Sequence, residues 1–457
     1  MPVFTELLQK GQKREAFRLA ATLFWVILVV LGALTLLWLA IAGVVMPLFT
    51  GSGIPAALTA GLSRVLFPVV LLLSLTGLFV GILQAYDQFT IPALAPAVWN
   101  LVILVLLIVL RGQFHGQDKI YAYAIAWLVA TVVQFVMVAA ALRTIEFRLA
   151  FSFDWRDPRV RQVLLLFLPV TLSIGIVNLD IFINAAFGSL VVTHPKGQAP
   201  AAINSAFRIY MLPQGIFSVA VATVLFPTLS RMAARRDANG IRRAVGTGMR
   251  QILLLLTPSS ALMLVLATPV TRLVYQHGTF NAISTHYVST ALFWFSFSLP
   301  FAGLNLLLTR TFFAVQRPWI PTALAAMNMV VDAIVSIALY KPYGIAGLVI
   351  GTAVANIVMT GLQLYRLRIG LNGQLEGGQT VMITARILVA TVIMGAVAWG
   401  VWYLLDAGLG RSLPAQIASV GFACAVSGVL YAWLTLKMRI PEARQIQQLV
   451  VSRMHRA

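Results

Sequence analysis

The sequence predicts an all-α polytopic membrane protein of about twelve transmembrane helices, and three observations predict it. The 457 residues are 60% hydrophobic and 10% charged, with a mean hydropathy of +0.91, a balance that excludes a soluble globular chain. Apolar runs recur from end to end, each long enough at about 1.5 Å per residue to cross a hydrocarbon core of about 30 Å. The 33 basic and 13 acidic residues collect in the breaks between those runs.

Taken in order, the first expected span, 20–48, follows an amphipathic Glu6–Arg18 stretch with no signal-peptide pattern, so nothing is expected to be removed on export. Span 62–84 carries Gly77-x3-Gly81, a spacing that lets helices approach closely. Spans 92–110 and 120–142 are separated by the polar break Arg111–Lys119. Span 162–187 contains Asp180, and span 203–229 contains Arg208 followed by a Pro213–Gly215 break. Spans 249–275 and 286–312 flank a turn with His277 and Gly278. Span 319–340 holds Asn328 and Asp332, and 345–367 holds Gly347-x3-Gly351 and Thr352. Spans 383–405 and 414–436 close the series, the last enclosing the single cysteine, Cys424, which can form no intrachain disulfide.

An even number of spans puts both termini on one side, and 25 of the 33 Lys and Arg residues fall on that side. The bias predicts cytoplasmic termini and anchoring to anionic inner-leaflet lipid. The net charge of +20 is therefore a topology signal. No basic stripe with interleaved aromatics suggests nucleic acid as a partner.

Two pairs of segments resemble each other at nearly one offset. Ala85-Tyr-Asp-Gln-Phe-Thr-Ile-Pro92 opens the third span as Ala314-Val-Gln-Arg-Pro-Trp-Ile-Pro321 opens the ninth, and Pro2-Val-Phe-Thr-Glu stands to the first as Pro227-Thr-Leu-Ser-Arg stands to the seventh. Parallel repeats of this kind are a transporter signature, with the substrate cavity between the halves. They divide the chain into a four-helix lobe over 1–148, a six-helix lobe over 149–370 and a remainder over 371–457. On this arithmetic the first lobe lacks the counterpart of about 67 residues and two helices, and a start assigned too far downstream is the expected cause.

Three charged residues fall well inside spans: Asp180, Asp332 and Arg208. Each costs at least about 2.5–3.5 kcal/mol if it faces lipid, so each is expected to face an interior or a water-filled cavity. A guanidinium in a cavity suits bidentate binding of phosphate or pyrophosphate; the alternative for Arg208 is an ion pair with Asp180. Asn328 and Asp332, four residues apart, share a helix face. With Asp180 and Thr352 they form a set of hard oxygen ligands suited to Na⁺ or to proton relay; the alternative is interhelical hydrogen bonding. The five histidines are dispersed, and no Walker, G-x-S-x-G or HExxH pattern is present, so neither a cofactor nor enzymatic chemistry is expected.

The block Ala206-Phe-Arg208-Ile-Tyr-Met-Leu-Pro213-Gln-Gly-Ile-Phe-Ser-Val-Ala-Val-Ala-Thr-Val-Leu-Phe-Pro227-Thr-Leu-Ser-Arg, with Tyr275-Gln-His-Gly-Thr-Phe280 and Pro2-Val-Phe, resembles the signature of the MurJ/MviN lipid II flippase family. The resemblance runs from residue 1 to about 440. It implies two helical lobes around a cationic cavity, with spans 383–405 and 414–436 as two extra helices ahead of a cytoplasmic tail. It implies an inner-membrane flippase for undecaprenyl-diphosphate-linked muropeptide working by alternating access, with membrane lipids and peptidoglycan synthases as further partners. Export of another amphiphile by the same superfamily fold, and a non-transporting scaffold for cell-wall synthesis, are the alternative readings. Arg208 corresponds to the second-lobe cavity arginine facing the diphosphate. Asp180, Asn328, Asp332 and Thr352 are similar to a sodium site, with Na⁺ or H⁺ as coupling ion. Met211 departs from the family, which often has an acidic residue three positions after that arginine.

Overall fold

The computed structural model describes the chain except residues 1–3, 5–6, 9–10, 49–54, 87, 89, 146–150, 155, 194–196, 236, 279, 316, 318, 371–376, 411 and 455–457. Side chains at 48, 162, 164–170, 173, 174, 177, 223, 227, 230, 234, 377, 446 and 449–454 are also outside the description. Parts of the family-like motifs, namely Pro2, Val3 and Thr279, therefore lie outside the described residues.

A chain with no water to satisfy its backbone must close its hydrogen bonds within each segment, and the described secondary structure is helical. In order the helices are α1 (Lys13–Val45), α2 (Ala56–Leu66), α3 (Pro68–Ala85), α4 (Thr90–Leu110), α5 (Lys119–Ala141) and α6 (Pro158–Leu190). Then come α7 (Gln198–Pro213), α8 (Val219–Ala234), α9 (Ala238–Val265), α10 (Ala267–Tyr275) and α11 (Ala282–Ala314). The last five are α12 (Trp319–Tyr343), α13 (Ile345–Gly370), α14 (Gly377–Leu409), α15 (Leu413–Lys437) and α16 (Pro441–Met454).

Eleven stretches among the described residues are long and apolar enough to span a membrane, against the twelve expected. The remaining expected span, 162–187, lies within helix α6, whose apolar run 164–170 is outside the side-chain description. Two expected spans are interrupted. Span 249–275 divides into α9 and α10 at Leu266, where Pro269 has no N–H to offer the carbonyl four residues back. Span 203–229 passes through a π-helical turn, Gln214–Ser218, just after Pro213.

The chain forms two compact units, Met1–Val170 and Thr171–Ala457. In the first, Leu19, Phe24, Leu75, Phe79, Ile82, Leu83 and Val138 make one core, with Phe24 and Phe79 stacked at 5.6 Å. A smaller cluster joins α4 to α5, where Trp99 Nε1 donates to Thr131 Oγ1 at 3.1 Å. Gly77 leaves open space where a side chain would stand, so it is not the close-packing position its spacing suggested.

In the second unit the core runs through α7, α9, α11 and α13, with Ile252, Leu256, Leu292, Leu299, Leu307 and Leu348 fully buried. Side-chain caps start two of these helices: Asp237 accepts from Gly240 N at 2.8 Å and Asn281 from Ser284 N at 2.9 Å. The helices α14 and α16 join α9 through Leu254, Ile383, Ile387, Ile440 and Ala443.

The repeat is visible in the backbone. Ala85 and Ala314 are the last residues of α3 and α11, and Pro92 and Pro321 are the third residues of α4 and α12. The turns between close alike, Gln88 N donating to Leu83 O at 3.0 Å and Arg317 N to Phe312 O at 2.9 Å.

Candidate functional site: a buried acidic pair in the second unit

On α12 the side chains of Asn328, Asp332 and Ser336 follow one another at four-residue spacing and share a face. Asp332 is 1% exposed and is the most heavily bonded side chain of the group. Its Oδ2 accepts from Asn184 Nδ2 on α6 at 2.9 Å and from Thr352 Oγ1 on α13 at 3.2 Å, and its Oδ1 accepts from Ser336 Oγ at 3.0 Å. Ser336 Oγ also lies 3.3 Å from the Leu348 carbonyl of α13. Asn184 is steadied by a second donation to the Asp180 carbonyl at 3.1 Å.

The carboxyl of Asp180, one turn before Asn184 on α6, lies near enough to that of Asp332 for the two to interact electrostatically. Two carboxylates at this range repel, so the pair requires a shared proton or a cation. Among the described residues two atoms are left unmatched: Asp180 Oδ1 and Asn328 Nδ2 are buried with no hydrogen-bond partner. A buried polar atom left this way costs about 1–3 kcal/mol. An amide turned through 180° exchanges its N and O, which would put an oxygen of Asn328 where the orphaned nitrogen lies. Asp180 Oδ1, Asp332, Thr352 Oγ1 and the Asn328 amide then offer oxygen donors of the kind a hard monovalent cation takes. The residues fit such an ion.

Sequence reasoning placed Asp180, Asn328, Asp332 and Thr352 together, and the structure unites Asp180, Asp332 and Thr352, with Asn328 one turn away on α12. It missed Asn184 and Ser336. Both lie four residues beyond an aspartate inside a span, so the face rule that paired Asn328 with Asp332 would have found them.

The polar network continues along α13. Asn356 donates to the Thr352 carbonyl at 3.0 Å and accepts at Oδ1 from Asn305 Nδ2 of α11 at 3.0 Å, while Thr360 Oγ1 donates to Asn305 Oδ1 at 2.8 Å. Gln363 Nε2 donates to Thr309 Oγ1 at 3.0 Å.

Arg208 stands apart from this network. It is exposed on α7, and its Nε donates to Asn204 Oδ1, one turn earlier, at 3.1 Å. Among the described residues it pairs with no carboxylate, so the ion pair with Asp180 that the sequence left open is not formed.

A polytopic helical bundle with repeated halves and a buried pair of acids is the architecture of a secondary membrane transporter. Comparison with known proteins narrows the class. The sequence profile of the lipid II flippase MurJ matches residues 1–419. A probable lipid II flippase MurJ of Rhizobium tropici is 29% identical over 395 residues, covering 85% of this chain and 72% of that protein. The lipid II flippase MurJ of Burkholderia cenocepacia is 28% identical over 66% of this chain and 58% of its own length. Among solved structures, a lipid II flippase MurJ in an inward closed conformation matches with a TM-score of 0.77 at 20% identity, over 96% of this chain and 88% of that one. An inward-facing multidrug resistance MATE family transporter of the MOP superfamily matches at 0.70 and 16% identity, over 81% and 84% of the two chains. The chain belongs to the lipid II flippase MurJ family.

Proposed function

We propose that this chain carries lipid II, the undecaprenyl-diphosphate-linked muropeptide, across the bacterial cytoplasmic membrane by alternating access, with both termini in the cytoplasm. The observation that carries the reading is the match to the lipid II flippase profile over residues 1–419. No bond is made or broken in such a reaction. The residues act by binding and by biasing two conformations.

Arg208 is the diphosphate contact in this reading. Its guanidinium is exposed and carries no competing carboxylate among the described residues, and its planar donors match phosphate oxygens bidentately. Asp180 and Asp332 form the coupling site, with Thr352, Ser336 and Asn184 fixing the orientation of Asp332. Na⁺ or H⁺ bound there supplies the charge that offsets the two carboxylates. Such binding shifts the balance of states only by its differential affinity for them, and a membrane potential adds about 2.3 kcal/mol per charge per 100 mV.

The test is lipid II translocation in liposomes reconstituted with the purified chain, wild type against Arg208→Ala. Loss of translocation with retained folding is expected. An Arg208→Ala protein that translocates at the wild-type rate sinks the assignment of the diphosphate contact, and a wild type that moves no lipid II in either cation sinks the flippase reading itself.

A further inference from the structure

A polar cavity lies in the same unit, and neither aspartate of the acidic pair lines it. It encloses about 340 Å³ between α10, the beginning of α11 and the beginning of α15. Its walls include Arg272, Gln276, Thr285, His286, Ser289 and Gln416. This size is at the small end of ligand sites, and the mostly polar lining sets it apart from the apolar packing around it.

Arg272 is the unusual member. It is 17% exposed, yet among the described residues its side chain makes no hydrogen bond. Its one charged neighbour is Asp406 of α14, with NH1 and Oδ1 at 3.7 Å, beyond hydrogen-bond range. A guanidinium has five N–H donors, and burying it largely without acceptors is costly unless something else supplies them. The cavity is where those donors can be satisfied.

The rest of the lining defines the chemistry. Thr285 and Ser289, at 3% and 5% exposure, place hydroxyl oxygens on α11 whose protons are engaged within the protein, Ser289 Oγ donating to the His286 carbonyl at 3.1 Å. The donors offered to the space are the His286 ring of α11, the amide of Gln276 and the amide of Gln416 of α15, beside Arg272 of α10. Thr285 Oγ1 donates to Gln276 Oε1 at 3.1 Å, which fixes that amide. Donors reach the space from three elements. A planar carboxylate can use donors lying in one plane, whereas a tetrahedral oxyanion takes them from several sides. We infer that this cavity binds a phosphate group, held bidentately by Arg272 with His286 and the amides around it. Asp406, close to the guanidinium but not hydrogen-bonded to it, competes with that ligand. Arg208, on α7, is not among the lining residues. A lipid headgroup and a free phosphate would be recognised by the same atoms.

The experiment is calorimetric titration of the purified full chain in a neutral detergent, with inorganic phosphate in one arm and dihexanoyl phosphatidic acid in the other. Saturable binding is expected in at least one arm, and the tighter arm names the source as free anion or lipid head. Losing a charge-assisted contact should weaken binding by about tenfold or more in Arg272→Gln. Asp406→Asn, which removes the competing carboxylate, should tighten it severalfold. Absence of saturable binding in both arms overturns the proposal, as does an Arg272→Gln protein that binds as tightly as wild type. Should Arg272→Gln fail to fold, Asp406→Asn decides alone: tighter binding supports the site, and unchanged or weaker binding overturns it.

Discussion

Removing the Glu442 carboxylate should release the C-terminal helix α16. Glu442 is 2% exposed, and its Oε1 accepts from Arg250 Nε of α9 at 2.5 Å; Arg250 is itself 5% exposed. After Glu442→Ala the guanidinium keeps neutral partners, Thr247 Oγ1 at 3.2 Å and Thr380 Oγ1 at 3.5 Å, which hydrogen-bond but do not offset its charge. Breaking a buried pair on one side costs about 3–5 kcal/mol. Against this, among the described residues the start of α16 is also held by the residues just before it: Ile440, fully buried and worth about 1.5–3 kcal/mol, and Met438, whose carbonyl accepts from Arg386 at 3.2 Å, worth about 1 kcal/mol. Loss and remaining anchorage are equal in size, so the helix should detach for a substantial part of the time. Hydrogen exchange read by mass spectrometry should show α16 amides exchanging about two to three and a half decades faster, at 1.4 kcal/mol per decade. The double variant Arg250→Met/Glu442→Leu, which leaves no buried charge, should restore slow exchange. Wild-type exchange rates in Glu442→Ala, or a double variant as loose as the single one, would refute the reasoning.

Other expectations concern the acidic pair. Gly351→Ala places a methyl against Ser336 Oγ, Asp332 Oδ1 and the Asp332 backbone oxygen, and backbone cannot step aside, so it should cost about 1–3 kcal/mol; Gly361→Ala, which meets open space, should be neutral or slightly stabilising, both read by thermal unfolding in detergent. Thr352→Val keeps the shape and loses the bond to Asp332 Oδ2. A hydrogen bond to a charged group is worth about 1.5–3 kcal/mol, so the half-saturating cation concentration for translocation should rise about 10- to 150-fold, and Thr352→Ser should recover it. Trp99→Phe removes the donor to Thr131 Oγ1 and should cost about 0.5–1.5 kcal/mol in the first unit, with translocation per folded molecule unchanged.

The helices were legible because a membrane span is written in one dimension, as length and apolarity, and eleven of them can be read that way in the described residues. Boundaries were less legible, because polar residues extend helices past the apolar run. Helix α1 begins at Lys13, ahead of the expected 20, because Lys13–Arg18 continue the helix outside the apolar stretch. The Leu266 break needed the proline signal of Pro269, which an apolar count passes over. The repeat was legible to the residue, since Ala85 and Ala314 end their helices in matching turns. The contacts of Asp332 were only half legible. A single helix's periodicity says which of its residues share a face, as Asn328, Asp332 and Ser336 do, but not that Asn184 of α6 would meet them. Arg208 shows the same limit from the other side: its depth within a span left a ligand-binding cavity and an ion pair with Asp180 both open, and only the structure shows it exposed on α7 with Asn204 as its partner.

The glycines of α13 show why packing and chemistry should not be weighed as rivals at this site. Gly347-x3-Gly351 reads as a packing motif, and it is one: a Cβ at Gly347 would run into the Leu339 backbone of α12, and one at Gly351 into Asp332 and Ser336. The same closeness is what brings Thr352 Oγ1 within 3.2 Å of Asp332 Oδ2 and the Leu348 carbonyl within 3.3 Å of Ser336 Oγ. Moving α13 outward by about the width of a methyl group would put both beyond the 2.5–3.0 Å typical of O–H···O bonds and outside useful range, while the cost of burying Asp332 would remain. Asp332 can therefore keep its partners on α13 only while α12 and α13 stay close, and they stay close because α13 has no side chains at two positions one turn apart. In the proposed coupling, a cation or proton that alters the repulsion between Asp180 of α6 and Asp332 of α12 would act on the carboxylate that Thr352 of α13 also holds, so a local charge change would bear on the contacts of α12 with both neighbours.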